Sequence, residues 1–143
     1  MKKLFFVAIF FIFTAQAYAE TCSADLAAGD AIKFDKTSLS FSKTCKEITV
    51  NLAHTGKSPK TAMGHNLVLV STADITAVGV SAASAGLKAD YVPKDKVIAH
   101  SKLVGGGEKT SMKFKPSDVK GASTIICTFP GHWAVMKVAV ELK

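Results

Sequence analysis

The sequence predicts an all-β domain, a sandwich or barrel of short strands that carries one short helical flap. Several short runs alternate apolar and polar residues with a period of two, as half-buried strands do. Glycine and proline turn signals separate these runs. A single segment rich in Ala, Ser and Gly interrupts the strand pattern. Many short strands punctuated in this way are typical of β-sandwiches and barrels.

The expected strands follow from where apolar residues recur along the chain. Alternation is clearest after position 47 and again toward the C-terminus, where Val138, Val140 and Leu142 share one face. Glycine and proline mark the connections, and the three consecutive glycines at 105–107 predict a tight, hairpin-like turn. The expected strand segments are residues 31–41, 48–52, 67–70, 110–115, 124–129 and 135–142.

The interrupting segment, residues 72–88, is interpreted as a surface flap between strands with one short helix. Asp74 is a residue type that favours a helix N-cap. The β-branched residues of the segment argue against a long, strong helix. A sandwich can carry such a flap without disturbing its core.

The first 19 residues have the layout of a cleaved secretory signal. Two lysines precede an apolar run, and Ala17-Tyr18-Ala19 is a small-x-small cleavage site. The run is shorter than the about 20 apolar residues that cross a bilayer, so no stable membrane insertion is expected. Cys22 is a poor lipidation site because Glu20 and Thr21 precede it. Residues 20–143 are therefore expected to form one soluble mature domain.

Charge and composition narrow the class of partner. The formal charge is +7, and removing the two lysines of the leader lowers it to +5 on residues 20–143. That excess favours acidic partners and speeds encounter with them. All the formal cations are lysines, and they are scattered along the chain. Nucleic-acid binding is not expected, because nucleic-acid readers use arginine forks and clustered basic faces.

The cysteine count leaves one thiol to explain. All three cysteines lie in the mature region, and in an oxidising compartment two of three are expected to pair. A Cys22–Cys45 bridge would close a short loop and stabilise the fold by about 3 kcal/mol. Cys127 would then be a free thiol in a secreted protein, where thiols tend to be oxidised unless they have a function.

The segment that contains Cys127 holds candidate metal ligands. Cys127, His132 and Met136 lie within ten residues, on either side of a Pro130-Gly131 turn. A second imidazole, His65, precedes the strand segment 67–70. Two imidazoles, a thiolate and a weak thioether form the ligand set of an electron-transfer copper site. Zinc prefers tetrahedral nitrogen and sulfur ligands, and c-type haem attachment would need a second cysteine.

Other interpretations explain less of the pattern. A Cys127–His132 nucleophile pair would make the protein an enzyme, but it gives His65 and Met136 no role. A copper oxidase or nitrite reductase needs further metal sites, for which the remaining histidines are too few. A sandwich-type adhesion domain leaves the free thiol unexplained. The two other histidines, His54 and His100, are assigned structural or surface roles.

Four short segments and one spacing are specific enough to indicate a family. Four residues separate Cys127 from His132, and three separate His132 from Met136. The segments are Met63-Gly64-His65-Asn66, Val97-Ile98-Ala99-His100, Gly107-Glu108-Lys109 and Cys127-Thr128-Phe129-Pro130-Gly131-His132. In these features the chain resembles the cupredoxin family of blue-copper proteins, and within it the azurin group, over nearly the whole mature region. Plastocyanin-like relatives have a shorter gap between the cysteine and the histidine.

The resemblance implies an eight-stranded Greek-key sandwich with one type 1 copper near one end. His65, Cys127 and His132 would be equatorial ligands, and Met136 and the Gly64 carbonyl would be axial. The Cys22–Cys45 bridge matches the family disulfide, and Asn66 would brace the ligand loop through Thr128 and the Cys127 backbone.

It also implies a monomeric periplasmic electron carrier rather than an enzyme. Its partners would be redox proteins such as c-type cytochromes or copper and haem reductases.

Some positions depart from the family pattern. Leu67 stands where a tryptophan is common, Ile125 and Ile126 replace frequent aromatics, and Trp133 occupies a position that is usually small. None of these residues is an expected ligand. Trp133 is left between two alternatives, an exposed partner contact or an inward-packed side chain.

Overall fold

The computed structural model describes residues 21–143, which form eight strands in two sheets. The predicted signal peptide at 1–19 lies outside the described residues. Within residues 21–143, none of the helices has the length and hydropathy that a membrane crossing needs. The strands are β1 (Ser23–Ala28), β2 (Ser38–Phe41), β3 (Ile48–His54), β4 (Val68–Ser71), β5 (Val97–His100), β6 (Lys109–Phe114), β7 (Ser123–Ile126) and β8 (Lys137–Leu142).

The two sheets pack as a sandwich rather than a closed barrel. One sheet has the order β1-β3-β6, with β1 parallel and β6 antiparallel to β3. The other has the order β2-β8-β7-β4-β5, with β2 parallel to β8. Neighbours that are distant in sequence, such as β4 and β7, require the long connections of a Greek-key arrangement. The predicted all-β sandwich with eight strands is confirmed.

One predicted connection is wrong. The glycines at 105–107 join β5 and β6, but these strands lie in different sheets and form no hairpin. The Gly106 N–H instead donates to the Ser58 carbonyl, at 2.8 Å, and so binds the connection to the loop after β3. Glycine marks a turn through its backbone freedom, but this signal does not say which sheet the next strand joins.

The core lies between the sheets and is built by alternation along the strands. In β3, Ile48, Val50 and Leu52 point inward and are almost completely buried. Each such side chain contributes about 1.5–3 kcal/mol through the apolar surface it removes from water. The central strand β7 is buried on both faces, because its Ile125 lies in the main core and its Ile126 faces the flap.

The flap contains the predicted helix, here α2 (Ile75–Ala85), after a one-turn helix α1 (Lys60–Met63) earlier in the chain. Asp74 occupies the N-cap position, but its side chain makes no capping hydrogen bond. Its carboxylate instead forms an ion pair with Lys96, at 2.6 Å. Helix α2 covers the outer face of the five-stranded sheet, where Val78 joins Val68 and Ile126 in a second apolar cluster.

The disulfide joins the residue before β1 to the connection between β2 and β3. Cys22 and Cys45 are bonded, which confirms the predicted pair and gives Cys22 a role other than lipid attachment. Cys127 is a free and fully buried cysteine.

Candidate metal centre

The candidate ligands meet where strands of the five-stranded sheet begin and end. Cys127 directly follows β7, and Met136 directly precedes β8, so this strand pair fixes both ends of the loop that contains His132. His65 lies just before β4, where it pairs with Val104 through two backbone hydrogen bonds of 3.0 and 2.9 Å. The sandwich thus brings together residues that are 62 positions apart in sequence.

Three donor atoms converge in this loop cluster. Cys127 Sγ lies 3.7 Å from His65 Nδ1 and 3.6 Å from His132 Nδ1, and the three side chains are buried. With metal bonds of about 2.3 Å to sulfur and about 2.0 Å to nitrogen, directed at about 120° to each other, sulfur and nitrogen lie about 3.7 Å apart. The donor set therefore fits one metal ion in a trigonal arrangement without rearrangement of the Cys127–histidine distances.

Hydrogen bonding aims one nitrogen of His65 at Cys127. The His65 Nε2–H donates to the Gly29 carbonyl, at 2.7 Å, which leaves the Nδ1 lone pair directed toward the sulfur. A second contact fixes the ring plane, because His54 stacks on His65 with centroids 4.7 Å apart. Outer partners of this kind fix the tautomer and orientation of a ligating histidine.

His54 has a structural position and His100 a surface position, as predicted for them. His54 is buried, its Nε2–H donates to the Met63 carbonyl at 2.8 Å, and its Nδ1 accepts from the Gly56 N–H at 3.1 Å. Both of its ring nitrogens are therefore occupied within the protein. His100 is exposed at the end of edge strand β5.

Burial sets the proton affinities of the cluster. Burial raises the pKa of Cys127 to about 11, against the opposing effect of the Asn66 and Phe129 N–H groups that donate to its sulfur. Burial, together with the nearby His65, lowers the pKa of His132 to about 4. Burial also lowers the pKa of His65. Both imidazoles are thus neutral at pH 7, which is the form that binds metals.

Asn66 joins three segments behind the cluster. Its Oδ1 accepts from the Thr128 N–H, its Nδ2 donates to Thr128 Oγ1, and its Nδ2 also donates to the Asp90 carbonyl, all at 2.8 Å. The predicted brace to Thr128 is confirmed. The Cys127 N–H is not part of this brace, because it donates to the Met136 carbonyl, at 3.3 Å.

Gly64 and Met136, the two predicted axial groups, border the cluster. The Gly64 carbonyl oxygen lies 3.9 Å from Cys127 Sγ. A Cβ at Gly64 would lie 2.5 Å from the Lys60 carbonyl oxygen, so only glycine fits this approach. Met136 is fully buried in the same core cluster as Cys127, and its N–H donates to the His132 carbonyl, at 2.9 Å.

The His132 loop is less open than expected. His132 is only 3 % exposed, although its neighbours Pro130, Gly131 and Ala134 are exposed. The Phe129 ring packs on the imidazole, with centroids 4.7 Å apart. Trp133 is half-buried and contacts the flap, so the inward-packed alternative describes it better than a fully exposed contact.

Sequence reasoning missed several groups that support the cluster. The Gly29, Asp90 and Val104 carbonyls accept hydrogen bonds from His65 and Asn66. These acceptors are backbone atoms, which every residue type offers, so no sequence signal marks them. Only the fold brings them to the site.

Comparisons with known proteins agree with this geometry. The family model described as copper binding proteins, plastocyanin/azurin family, matches residues 20–143. Azurin from Bordetella pertussis is 43% identical over 140 residues, covering 95% of this chain and 93% of the relative. Azurin from Pseudomonas aeruginosa is 41% identical over 147 residues, covering 100% of this chain and 99% of the relative.

A solved structure shows the same fold. The azurin Az-iso2 from the methylotroph Methylomonas sp. strain J superposes with a TM-score of 0.81 and is 39% identical, covering 86% of this chain and 98% of that one. The family match spans every described residue and includes the Cys-His-His cluster. The chain therefore belongs to the plastocyanin/azurin family of copper-binding proteins, which are electron carriers rather than enzymes.

Proposed function

We propose that this protein carries single electrons by means of one type 1 copper ion held equatorially by His65, Cys127 and His132. The observation that carries the proposal is the convergence of one sulfur and two nitrogens, with the sulfur 3.6–3.7 Å from each nitrogen. This separation fits a trigonal site. A His₂Cys set of this geometry is diagnostic of electron-transfer copper.

Met136 and the Gly64 carbonyl are proposed as the weak axial groups. A thioether and a carbonyl oxygen are the weak, long ligands that accompany such a trigonal set. Support comes from the 3.9 Å separation between the Gly64 oxygen and Cys127 Sγ, and from the burial of Met136 next to β8.

The chain's own residues hold this site in shape and bury it. When bound, copper supplies a one-electron couple between Cu(II) and Cu(I). The Gly29 carbonyl and His54 hold the His65 ring in one orientation. The Asn66 and Phe129 N–H groups stabilise negative charge on the Cys127 sulfur. Phe129 shields His132 from water. A preformed, buried site limits the rearrangement that accompanies a change of one charge.

Partner contact is proposed at the His132 loop. His132 is the most accessible of the four candidate ligand side chains, and the exposed Pro130, Gly131 and Ala134 surround it. These neighbours carry no charge, which suits a brief encounter whose interface buries less than about 1,200 Å² of surface. The +5 charge of residues 20–143 favours an acidic partner. Redox proteins such as c-type cytochromes and copper or haem reductases are the partners proposed for this loop.

The remaining assignments concern processing and location. Residues 1–19 are proposed as a cleaved signal peptide and residues 20–143 as the single mature domain, a monomer of the periplasm. The Cys22–Cys45 disulfide supports this location, because disulfides persist in oxidising compartments. Amino-terminal sequencing of the protein exported by the native cell tests the cleavage site. The expected result is a free amino terminus at Glu20.

A redox titration of the copper-loaded protein tests the proposed function. The expected result is one copper per chain and a reversible one-electron curve, with Cys127→Ser abolishing the titratable signal. Asn51→Ala, a surface change on the three-stranded sheet, serves as the matched control and should titrate like the parent. A protein that binds copper without taking up one electron per chain would contradict the proposal.

A further inference from the structure

Trp133 makes an unusually close contact with the flap helix. A Cβ placed at Gly79 of α2 would lie 2.2 Å from Trp133 Cδ2, 2.5 Å from Cγ and 2.7 Å from Cε2. The indole therefore lies directly against the helix backbone at a position that only glycine can occupy. Its bicyclic ring turns about two torsions and cannot bend away from a methyl group.

The contact joins the ligand loop to the flap helix α2. Trp133 packs against the small apolar cluster beneath α2, which includes Val78 of the helix and Val68 of β4. Trp133 also lies in the ligand loop, one residue after His132 and three before Met136. After the Asn66 brace at Thr128, the backbone hydrogen bonds of the loop are local, from His132 N–H to the Phe129 carbonyl and from Met136 N–H to the His132 carbonyl.

The sequence of α2 supports a specific role for this glycine. Gly79 lies in the interior of the 11-residue helix, where glycine is less favourable than alanine. Gly79 is buried against the indole, whereas the next residue, Val80, is 65 % exposed. The cost of an interior helical glycine is explained if the position must accept the flat face of an aromatic ring.

We infer that Trp133, seated on Gly79, is a positioning residue that fixes the loop of His132 and Met136 and so the direction of both candidate ligands. The inference rests on the proposed function for the identity of those ligands. The contact itself is independent of any metal, so it can be tested in the copper-free protein.

The main test is Gly79→Ala, with Val80→Ala as the control in the same helix. Without a clash, alanine at an interior helical position would raise Tm by about 3 °C. The inference predicts a fall in the Tm of copper-free protein instead. In copper-loaded protein it predicts an about tenfold loss of copper affinity and a shifted Cys-to-copper absorption band. Val80→Ala should leave the affinity and the band unchanged.

A second variant separates positioning from mere stability. Trp133→Ala should lower copper affinity and shift the band, and in its background Gly79→Ala should become stabilising because the ring is gone. Trp133→Phe, which keeps a planar ring on the glycine, should restore most of the affinity. A higher Tm for Gly79→Ala alone would overturn the contact. A lower Tm with unchanged affinity and band in both variants would overturn the positioning role.

These outcomes are distinct from failure of the proposed function. If the parent protein bound no copper or gave no charge-transfer band, the proposed function would fail. The change in Tm caused by Gly79→Ala, compared between the parent and Trp133→Ala in copper-free protein, would still test the contact of Trp133 with Gly79.

Discussion

Replacement of Asn66 by alanine tests how strongly the fold depends on the brace behind the ligand cluster. Asn66 is fully buried and makes three side-chain hydrogen bonds of 2.8 Å, two to Thr128 and one to the Asp90 carbonyl. Thr128 is also fully buried, so its N–H and hydroxyl are shielded from bulk water. The variant leaves the Thr128 N–H and hydroxyl without the amide that satisfies them.

The expected loss follows from those two orphaned groups. Each buried polar group that loses its partner costs about 1–3 kcal/mol. Asn66→Ala should therefore lower the free energy of unfolding by about 2–4 kcal/mol, since the hydroxyl can rotate toward another acceptor. The Asp90 carbonyl lies nearer the surface and adds little.

Urea unfolding of copper-free protein measures this loss, with Asn51→Ala as the matched control. Asn51 is exposed on β3, and its amide donates to the Asp25 carboxylate at 2.8 Å on the surface. Its replacement should change the free energy of unfolding by less than about 0.5 kcal/mol. If Asn66→Ala cost no more than Asn51→Ala, the brace would not hold the loops as described.

Two further predictions concern the disulfide and the dependence on pH. In a Cys22→Ser, Cys45→Ser double variant, the free energy of unfolding measured in urea should fall by about 3 kcal/mol, because the bridge spans a separation of 23 residues. A loss below about 1 kcal/mol would contradict the stabilising role of the disulfide. In copper-free protein, the pKa of His132 is lowered from its ordinary value of 6.5 to about 4. Between these two pH values, the unfolded chain therefore binds more protons at His132 than the folded chain does. Stability should therefore fall as the pH drops from about 6.5 to about 4. The pKa of Cys127 is raised from its ordinary value of 9.0 to about 11, so above about pH 9 the unfolded chain loses this proton while the folded chain keeps it. Stability should therefore also fall as the pH rises above about 9. Thermal melts from pH 4 to pH 10.5 measure both limbs, and a Tm that is flat across either range would contradict the burial of that group.

Much of the ligand cluster could be predicted because its chemistry is local in sequence. The spacing of Cys127, His132 and Met136 is fixed by one loop between two adjacent strands. His65 is distant in sequence, but its residue type and position before a strand were sufficient to include it. The backbone acceptors at Gly29 and Asp90 were not predictable, because any residue could supply them.

The strands, like the ligands, divide into those that a local sequence pattern predicts and those that depend on distant parts of the chain. The alternation of β3 and β6 identified both strands, whose pairing buries Val50 and Met112. Strand β1 gave no clear signal because most of its residues are small or polar, and it is held by parallel pairing with β3. Edge strand β5 is short and only half-buried. Trp133 lies against Gly79, 54 positions away in the sequence, and local patterns carry no information on such contacts.

The visible absorption and EPR spectra of copper-loaded protein, beside those of Cys127→Ser, test the central claim most directly. The account predicts an intense charge-transfer band in the red from the Cys127 thiolate to copper, together with the EPR signal of Cu(II) at the same site. In Cys127→Ser the band should vanish and the EPR signal should change, because copper has lost its sulfur ligand. A colourless copper-loaded protein, or a band that survives Cys127→Ser, would contradict the claim that this buried sulfur and two imidazoles hold the metal together.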